Sequence, residues 1–226
     1  MTVKYKIYPL GENALTVDFG NRISAEANDL VITLSKTIKN NKFKGFREIL
    51  PAYSSLTVFY DVAEILSFYG NRKTAFQTVE KFTESLIAKS RLKEKIQPKT
   101  FKIPVSFDQD SALDLGFILE KNSLSSEEFK EIFLAKTYRV FMLGFLPGFA
   151  YLGELDKEIA APRRKTPRTK VPKGSVGIAG RQTGVYPLES PGGWQIIGRT
   201  EIDFFTPDEK KPTLLNIGDS VKFIER

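Results

Sequence analysis

A stretch of 56 residues, 144–199, restricts the possible folds of this chain more than any other feature. It holds 10 of the 16 glycines and 6 of the 12 prolines. Both residue types interrupt helices, and the stretch has no helical period of useful length. Short β-type runs occur at 175–179, 184–186, 195–199, 214–215 and 220–224. Many short strands between Gly/Pro turns predict a closed or nearly closed β-barrel.

The first part of the chain has a different pattern. Strand-like runs occur at 3–8, 14–19, 46–50 and 56–60. Ser24 can cap a helix that ends at Asn40 and Asn41, and a second helix is predicted over 72–93. The resulting order, β-β-α-β-β-α, predicts two helices on one face of a small antiparallel sheet. We therefore expect an α+β domain of ferredoxin-like type.

The segment 89–102 separates the two parts, because it is basic and contains Pro98. We predict a ferredoxin-like α+β domain at 1–95 and a mainly-β barrel domain at 96–226. The second domain should open with a strand at 103–106. Two helices should follow, near 112–120 and 126–135, and Ser125 with Glu128 forms a capping box for the second.

The chain contains no histidine and no cysteine. This excludes disulfides, zinc–thiolate sites, Ser-His-Asp and Cys-His catalysis and the usual histidine metal sites. Carboxylates do not cluster in the sequence, so we expect no metal site. No apolar run approaches the roughly 20 residues of a membrane span, and the N-terminus lacks the apolar core of a signal peptide. We expect a soluble, cytoplasmic protein without a membrane partner.

The formal net charge is +7, from 34 basic and 27 acidic residues. Such a balance suits an anionic partner, although solvated surface lysines would give the same total. Local patterns are more informative. The run PRRKTPRTKVP at 162–172 places five cations between three prolines. Proline holds the backbone extended, so the arginines can present fixed guanidinium groups to a carboxylate or phosphate.

Two other readings of the arginine run stay open. It can be an exposed basic loop without a ligand, or it can bind nucleic acid. A nucleic-acid site is disfavoured, because no base-reading helix is predicted and aromatic residues do not alternate with the cations. We expect no nucleic-acid partner.

Glycine is also concentrated at 174–180, GSVGIAG. The run is neither a Walker A loop nor a dinucleotide-binding turn, because the residues that complete those motifs are missing. Glycines spaced by three in a β run usually mark bulges or close backbone approach. The turns QTGVYP at 182–187 and SPGGWQ at 190–195 carry amide, hydroxyl and aromatic groups that can bind a ligand or simply complete ordinary turns around a buried tryptophan.

Taken in order, these segments resemble a known family. GFLPGFAYL at 144–152, APRR at 161–164, VPKGSVGIAG at 171–180, QTGVYP at 182–187 and SPGGWQIIGRT at 190–200 are similar to the KipI / allophanate hydrolase subunit 1 family. Weaker similarity continues at 218–221 and at 51–56. The family's bacterial members include the 5-oxoprolinase B subunits.

The resemblance implies a fold and an activity. The fold is a ferredoxin-like domain followed by a cyclophilin-like barrel. The activity is ATP-dependent opening of 5-oxoproline to glutamate, with ATP as cofactor and subunits A and C as partners. The isolated chain is expected to be inactive. Two alternatives remain: a KipI-type inhibitor that binds a sporulation histidine kinase, and a non-catalytic barrel that binds a small molecule.

Candidate site residues follow from the same motifs. We predict that the catalytic residues Arg163, Arg164 and Arg168 bind carboxylate or phosphoryl oxygen. Hydrogen bonds to the substrate should come from Ser175, Gln182 and Thr183. The walls of the cavity should include Tyr151 and Trp194. Ser175 is not assigned as a nucleophile, because no base is identifiable. Family members commonly carry a histidine where this chain has Phe133. If that histidine is catalytic in relatives, this chain must use another group or be less active. If it is structural, Phe133 fills the space.

Overall fold

The computed structural model describes residues 4–20, 22–89, 98–208, 210 and 212–226. The chain divides into two compact units, Met1–Gln97 and Pro98–Arg226. The predicted boundary between residues 95 and 96 lies outside the described residues and stays a prediction. No helix in the described part of the chain combines the length and apolar character needed to cross a membrane.

The described residues of the first unit form four strands and three helices. They are β1 (Lys6–Pro9), β2 (Ala14–Asp18), α1 (Ala25–Asn40), β3 (Phe46–Pro51), β4 (Ser55–Tyr60), α2 (Val62–Tyr69) and α3 (Ala75–Lys89). The strands form one antiparallel sheet in the order β1-β2-β4-β3. Its core contains the inward residues of β2 and β4, such as Leu15, Val17 and Val58, packed against the helices.

Local signals located most of these elements correctly. The Ser24 side chain accepts a hydrogen bond from the Ala27 N–H, and α1 ends at Asn40 as predicted. The sequence did not reveal α2, which has only eight residues and follows β4 after one residue. Helix α3 is shorter than predicted at its start, and residues 90–93 of the prediction lie outside the described residues.

In the part of the second unit that the structure describes, there are nine strands, two α-helices and a short 3₁₀ helix. They are β5 (Thr100–Val105), α4 (Leu115–Asn122), α5 (Ser126–Ala135), β6 (Tyr138–Leu143), β7 (Ala150–Gly153), the 3₁₀ helix Lys157–Ile159, β8 (Arg168–Val171), β9 (Ser175–Ala179), β10 (Gln182–Val185), β11 (Ser190–Gly192), β12 (Gln195–Arg199) and β13 (Ser220–Glu225).

Seven of these strands form a nearly closed barrel. Their order is β12-β9-β10-β7-β6-β13-β5, and all neighbours are antiparallel except β13 and β5. The two edge strands meet where Ser106 and Arg199 exchange backbone hydrogen bonds of 2.8 and 2.9 Å. This bridge satisfies polar groups that an open sheet edge would expose. The barrel predicted from the Gly/Pro-rich stretch is confirmed.

Helix α5 shows how a local motif fixes an element. The Ser125 side chain accepts a hydrogen bond from the Glu128 N–H, and the Glu128 carboxylate accepts one from the Ser125 N–H. The capping box is therefore confirmed. The predicted strand at 214–215 is not formed, because this segment pairs only through single contacts, such as the bridge between Phe205 and Thr213. Strands β6, β7, β8 and β11 were not predicted.

Candidate ligand-binding site

An aromatic cavity of about 270 Å³ lies beside the barrel in the second unit. Its walls include five aromatic side chains and one cation: Phe145, Phe149, Tyr151, Tyr186, Trp194 and Arg163. Phe149 is central, with its ring edge-to-face against Tyr151 at 4.9 Å and Trp194 at 5.5 Å between centroids. The volume lies just below the roughly 300–1,000 Å³ range of small-molecule pockets, so only a small ligand fits.

Glycines make room for this aromatic cluster. A Cβ atom on Gly192 would lie 2.4 Å from the Tyr186 hydroxyl oxygen, and one on Gly184 would lie 3.0 Å from the Phe149 ring. A Cβ atom on Gly177 would lie 3.0 Å from the Trp194 Cβ. Glycines in β9, β10 and β11 therefore allow aromatic residues to pack closely against the strand backbone. Close approach of this kind is what glycines spaced by three in a β run indicated.

Arg163 is the cation at the cavity. It is exposed, and within the described part of the chain it forms no ion pair. Burial raises the pKa of Tyr151, and the Arg163 charge opposes that rise. Burial also raises the pKa of Tyr186, against the opposing effects of the Trp194 N–H and Arg163. The Arg163 charge thus acts on two phenol groups of the cavity, a combination that can bind an anion.

Arg164 and Arg168 have a different environment. Both guanidinium groups bind the carboxylate of Asp114, which is only 5% exposed. Arg168 binds it through two nitrogens, at 2.7 and 2.8 Å, and Arg164 through one, at 2.6 Å. The Ile196 N–H donates to the same carboxylate at 2.7 Å. We name this arrangement the Asp114 cluster: Asp114, Arg164, Arg168 and the Ile196 N–H.

The electrostatics of the Asp114 cluster favour the charged form of the acid. Burial alone would raise the pKa of Asp114. Hydrogen bonds from Arg168 and the Ile196 N–H, together with the two arginine charges, have the larger effect, so the pKa lies below its ordinary value. Asp114 is therefore a carboxylate at neutral pH, and it neutralises one of the two positive charges beside it.

Backbone contacts also fix the arginine loop, residues 162–168. The Arg164 N–H donates to the Gly193 carbonyl at 2.8 Å, and the buried Gln195 side chain donates to the Pro162 carbonyl at 3.1 Å. Arg168 begins β8 and pairs with Gly192 of β11. The loop is thus attached on both sides of Arg163, next to the aromatic cavity.

The other predicted site residues do not line this cavity. Thr183 is fully buried on β10, and its hydroxyl donates to the Gly177 carbonyl at 2.9 Å. Gln182 lies at the start of β10 and Ser175 at the start of β9. The structure therefore brings Arg163, Tyr151 and Trp194 together and places Ser175, Gln182 and Thr183 on neighbouring strands.

A larger crevice, of about 660 Å³, lies at the barrel seam where Ser106 and Arg199 pair. It contains none of the predicted site residues. Its charges largely compensate one another, because Lys173 pairs with Asp203 at 2.5 Å and Arg226 with Glu201 at 2.6 Å. The larger crevice is lined by three acidic and three basic side chains, whereas Arg163 is the one charged residue among the described residues that line the aromatic cavity. We therefore regard the aromatic cavity as the better candidate site for an anion.

Phe133 is part of the core of the second unit. It is fully buried and packs against the rings of Phe129, Tyr138 and Phe223. The Tyr138 hydroxyl donates to the Phe133 carbonyl at 2.8 Å. Phe133 does not line the aromatic cavity, so of the two readings of this position the structural one fits the geometry.

Sequence reasoning missed two residues that shape the site. Asp114 occupies the N-cap position of α4, but its carboxylate makes no capping hydrogen bond. From the sequence it resembles an ordinary helix cap, and no local signal reveals its arginine partners. Tyr186 was part of a recognised turn, but no local signal showed that its ring lies against Gly192.

The chain matches known proteins over most of its length. Residues 5–215 match the family model described as the carboxyltransferase domain, subdomain C and D. The chain is 43% identical to the 5-oxoprolinase B subunit of Bacillus subtilis, over 99% of this chain and 94% of that protein. It is 34% identical to the 5-oxoprolinase B subunit of Haemophilus influenzae, covering 96% of each.

A solved structure supports the same relationship. The crystal structure of the protein TTHA0988 superposes with a TM-score of 0.79 at 31% identity over 94% of this chain. This chain spans 40% of the length of that protein. The resemblance found in the motifs is confirmed by these relatives. The chain belongs to the family of the carboxyltransferase domain, subdomains C and D, in which relatives matching it over nearly their full length are 5-oxoprolinase B subunits.

Proposed function

We propose that this chain is the B subunit of an ATP-dependent 5-oxoprolinase that opens 5-oxo-L-proline to L-glutamate together with subunits A and C. The observation that carries the proposal is the 43% identity with the Bacillus subtilis 5-oxoprolinase B subunit over 99% of the chain. A match of this length leaves no large part of the chain for a separate activity. The cytoplasm, predicted from the sequence, is the proposed location.

The aromatic cavity is the proposed binding site for the substrate. 5-Oxoproline is a small lactam ring with one carboxylate. Arg163 would bind the carboxylate with its guanidinium group, and Tyr151 and Trp194 would pack against the ring. The charge and size of the cavity fit this small anionic molecule.

The remaining predicted residues receive narrower roles. Arg164 and Arg168 donate hydrogen bonds to Asp114, so we assign them to holding the arginine loop. For Ser175, Gln182 and Thr183, substrate binding stays a prediction. The Thr183 hydroxyl already donates to the Gly177 carbonyl.

Opening a lactam requires stabilisation of charge on its carbonyl oxygen and activation of the carbonyl, which ATP would supply in the complex. The sequence of this chain contains no nucleotide-binding motif. The glycine-rich run at 174–180 is mostly strand β9. A Cβ atom on Gly174 would lie 2.1 Å from the Thr200 carbonyl oxygen, and one on Gly177 would lie 3.0 Å from the Trp194 Cβ, so these two glycines serve close packing. We therefore place ATP binding and carbonyl activation in the partner subunits, and substrate binding in this chain.

Reconstitution tests the proposal. The purified chain should hydrolyse no ATP in response to 5-oxoproline, because it lacks a Walker A loop and a histidine base. Addition of cognate subunits A and C should produce ATP hydrolysis that depends on 5-oxoproline, together with glutamate. Mixtures that omit one subunit at a time serve as controls.

Three other results would contradict the proposal. Turnover by the isolated chain would show that the partners are unnecessary. Binding to a histidine kinase, with no effect of A and C, would support the KipI-type inhibitor. Binding of a small molecule without any turnover in the complete mixture would support a non-catalytic barrel.

We also propose that the first unit is ferredoxin-like with a permuted chain order. A β-α-β-β-α-β fold whose last strand is moved to the front has the order β-β-α-β-β-α. The observed sheet order β1-β2-β4-β3 and the positions of α1 and α3 support this arrangement. Helix α2 is then an addition between the last strand and the last helix.

A further inference from the structure

We infer that Asp114 is a positioning residue that fixes the arginine loop, and through it sets Arg163 at the aromatic cavity. This inference rests on the proposed function for the identity of the ligand. Asp114 precedes α4, whereas the loop lies about fifty residues later, so only the folded barrel brings them together.

The first argument is the use of the Asp114 carboxylate. At a helix N-cap, an aspartate usually accepts a hydrogen bond from the first turn of its own helix. Asp114 makes no such bond. Both oxygens instead accept hydrogen bonds from Arg164, Arg168 and the Ile196 N–H. The Asp114 side chain therefore binds the distant arginine loop and does not cap its own helix.

The second argument is the attachment of Asp114 itself. Its N–H donates to the Ile196 carbonyl at 2.8 Å, while its carboxylate accepts from the Ile196 N–H at 2.7 Å. Asp114 is therefore fixed to barrel strand β12 on both its backbone and its side chain. A carboxylate held in this way provides a fixed reference point for the two guanidinium groups.

The third argument is the position of Arg163 between attached neighbours. Gln195 holds Pro162, and Gly193 and Asp114 hold Arg164. Arg163 alone of the three arginines is exposed, and its charge acts on the tyrosines of the cavity. Three neighbouring cations repel one another, and the Asp114 charge offsets that repulsion, so that the loop remains closed on the barrel.

The test compares Asp114→Asn with Asp110→Asn, which makes the same chemical change at an exposed position four residues earlier. The first readout, hydrogen exchange, needs no ligand. In Asp114→Asn, the Arg164 amide, which donates to the Gly193 carbonyl, should exchange at least about tenfold faster, while the amides of β9 and β10 keep their rates. A uniform increase across the barrel, or no increase in the loop, would overturn the inference.

The second readout uses Trp194, the sole tryptophan of the chain, as a fluorescent reporter in the cavity. The probes are 5-oxoproline and pyrrolidin-2-one, which is the same lactam without the carboxylate. Asp114→Asn should weaken 5-oxoproline binding at least about tenfold and leave pyrrolidin-2-one binding unchanged, because the lost contact is the one between Arg163 and the carboxylate. Equal loss for both probes, or normal binding with a released loop, would overturn the inference.

Two further provisions keep the outcomes separate. If Asp114→Asn does not fold, Asp114→Glu, which keeps the charge but moves the carboxylate by one methylene, replaces it with the same expectations. If the wild-type chain binds neither probe, the proposed ligand is wrong, and hydrogen exchange alone decides whether Asp114 fixes the loop.

Discussion

Three arginines of one short loop show how far identical side chains can differ in role. Arg164 and Arg168 bind the buried carboxylate of Asp114, whereas Arg163 lies at the aromatic cavity without an ion pair among the described residues. Removing an exposed cation changes stability little, whereas removing a cation that pairs with a buried carboxylate costs much more, because it leaves that carboxylate buried and less well paired. Substitutions at the three positions should therefore affect different properties.

We predict that Arg163→Ala in the reconstituted complex reduces kcat/KM for 5-oxoproline at least about tenfold and leaves the melting temperature unchanged. Arg163→Lys should restore only part of the activity, because an ammonium group cannot form the two parallel hydrogen bonds of a guanidinium. Steady-state kinetics and thermal melting measure the two effects.

Lys165→Ala is the matched control for Arg163→Ala, because it removes one charge from the same loop at a residue that is exposed and does not line the cavity. Its kinetics should match the wild type. Similar, mild effects of both substitutions would mean that the loop is only a solvated basic surface, and that the site lies elsewhere.

At the scale of the elements, glycines determine where an aromatic ring can pack directly against the backbone of a strand. Tyr186 lies over Gly192 of β11, and Phe149 lies over Gly184 of β10. The cavity therefore depends on positions without a side chain as much as on the aromatic side chains themselves. The sequence showed the glycines but not their partners, because a strand pairs with residues far away in the chain.

Adjacent glycines at 192 and 193 offer a direct test. In Gly192→Ala the new Cβ would lie 2.4 Å from the Tyr186 hydroxyl oxygen, so Tyr186 must move. We expect a loss of roughly 1–3 kcal/mol of stability, as for overpacked cores, and weaker 5-oxoproline binding. Chemical denaturation and Trp194 fluorescence measure these effects.

Gly193→Ala is the control, because the nearest atom to its Cβ would be 3.6 Å away and belongs to Pro167. Its stability should stay within about 0.5 kcal/mol of the wild type. If both variants are equally stable and bind equally well, the close packing of Tyr186 on Gly192 does not form the cavity.

At the scale of the whole molecule, each unit has its own hydrophobic core. The core of the first unit is built from residues between Leu15 and Ile87, and the main core of the second from residues between Ile103 and Phe223. The aromatic cavity belongs to a smaller cluster within the second unit, which includes Phe149 and Trp194. All residues proposed to bind the substrate therefore lie in one unit.

We accordingly predict that limited proteolysis cuts within 89–102 and releases a fragment containing the second unit that still unfolds cooperatively. That fragment should bind 5-oxoproline with the affinity of the full chain, by Trp194 fluorescence. A chain that resists cleavage there but is cut inside 144–199 would contradict the domain boundary. A folded fragment without affinity would show that the first unit contributes to the site.

Sequence alone determined the features that depend on near neighbours. The helix caps at Ser24 and Ser125 were correct, because a cap acts within three residues of its partner. The Gly/Pro-rich stretch identified the barrel, because these residues prevent helices wherever they are frequent. The absence of histidine and cysteine excluded whole classes of chemistry by composition. The motifs between 144 and 200 identified the family.

Only the tertiary structure decided which of the predicted residues share a site. It paired Arg164 and Arg168 with Asp114, fifty residues or more away, and left Arg163 at the cavity. It placed Phe133 in the core and gave the Thr183 hydroxyl to a backbone carbonyl. The physical reason is that an ion pair or a ring packed on glycine depends on distance in space. That distance cannot be predicted from the local sequence.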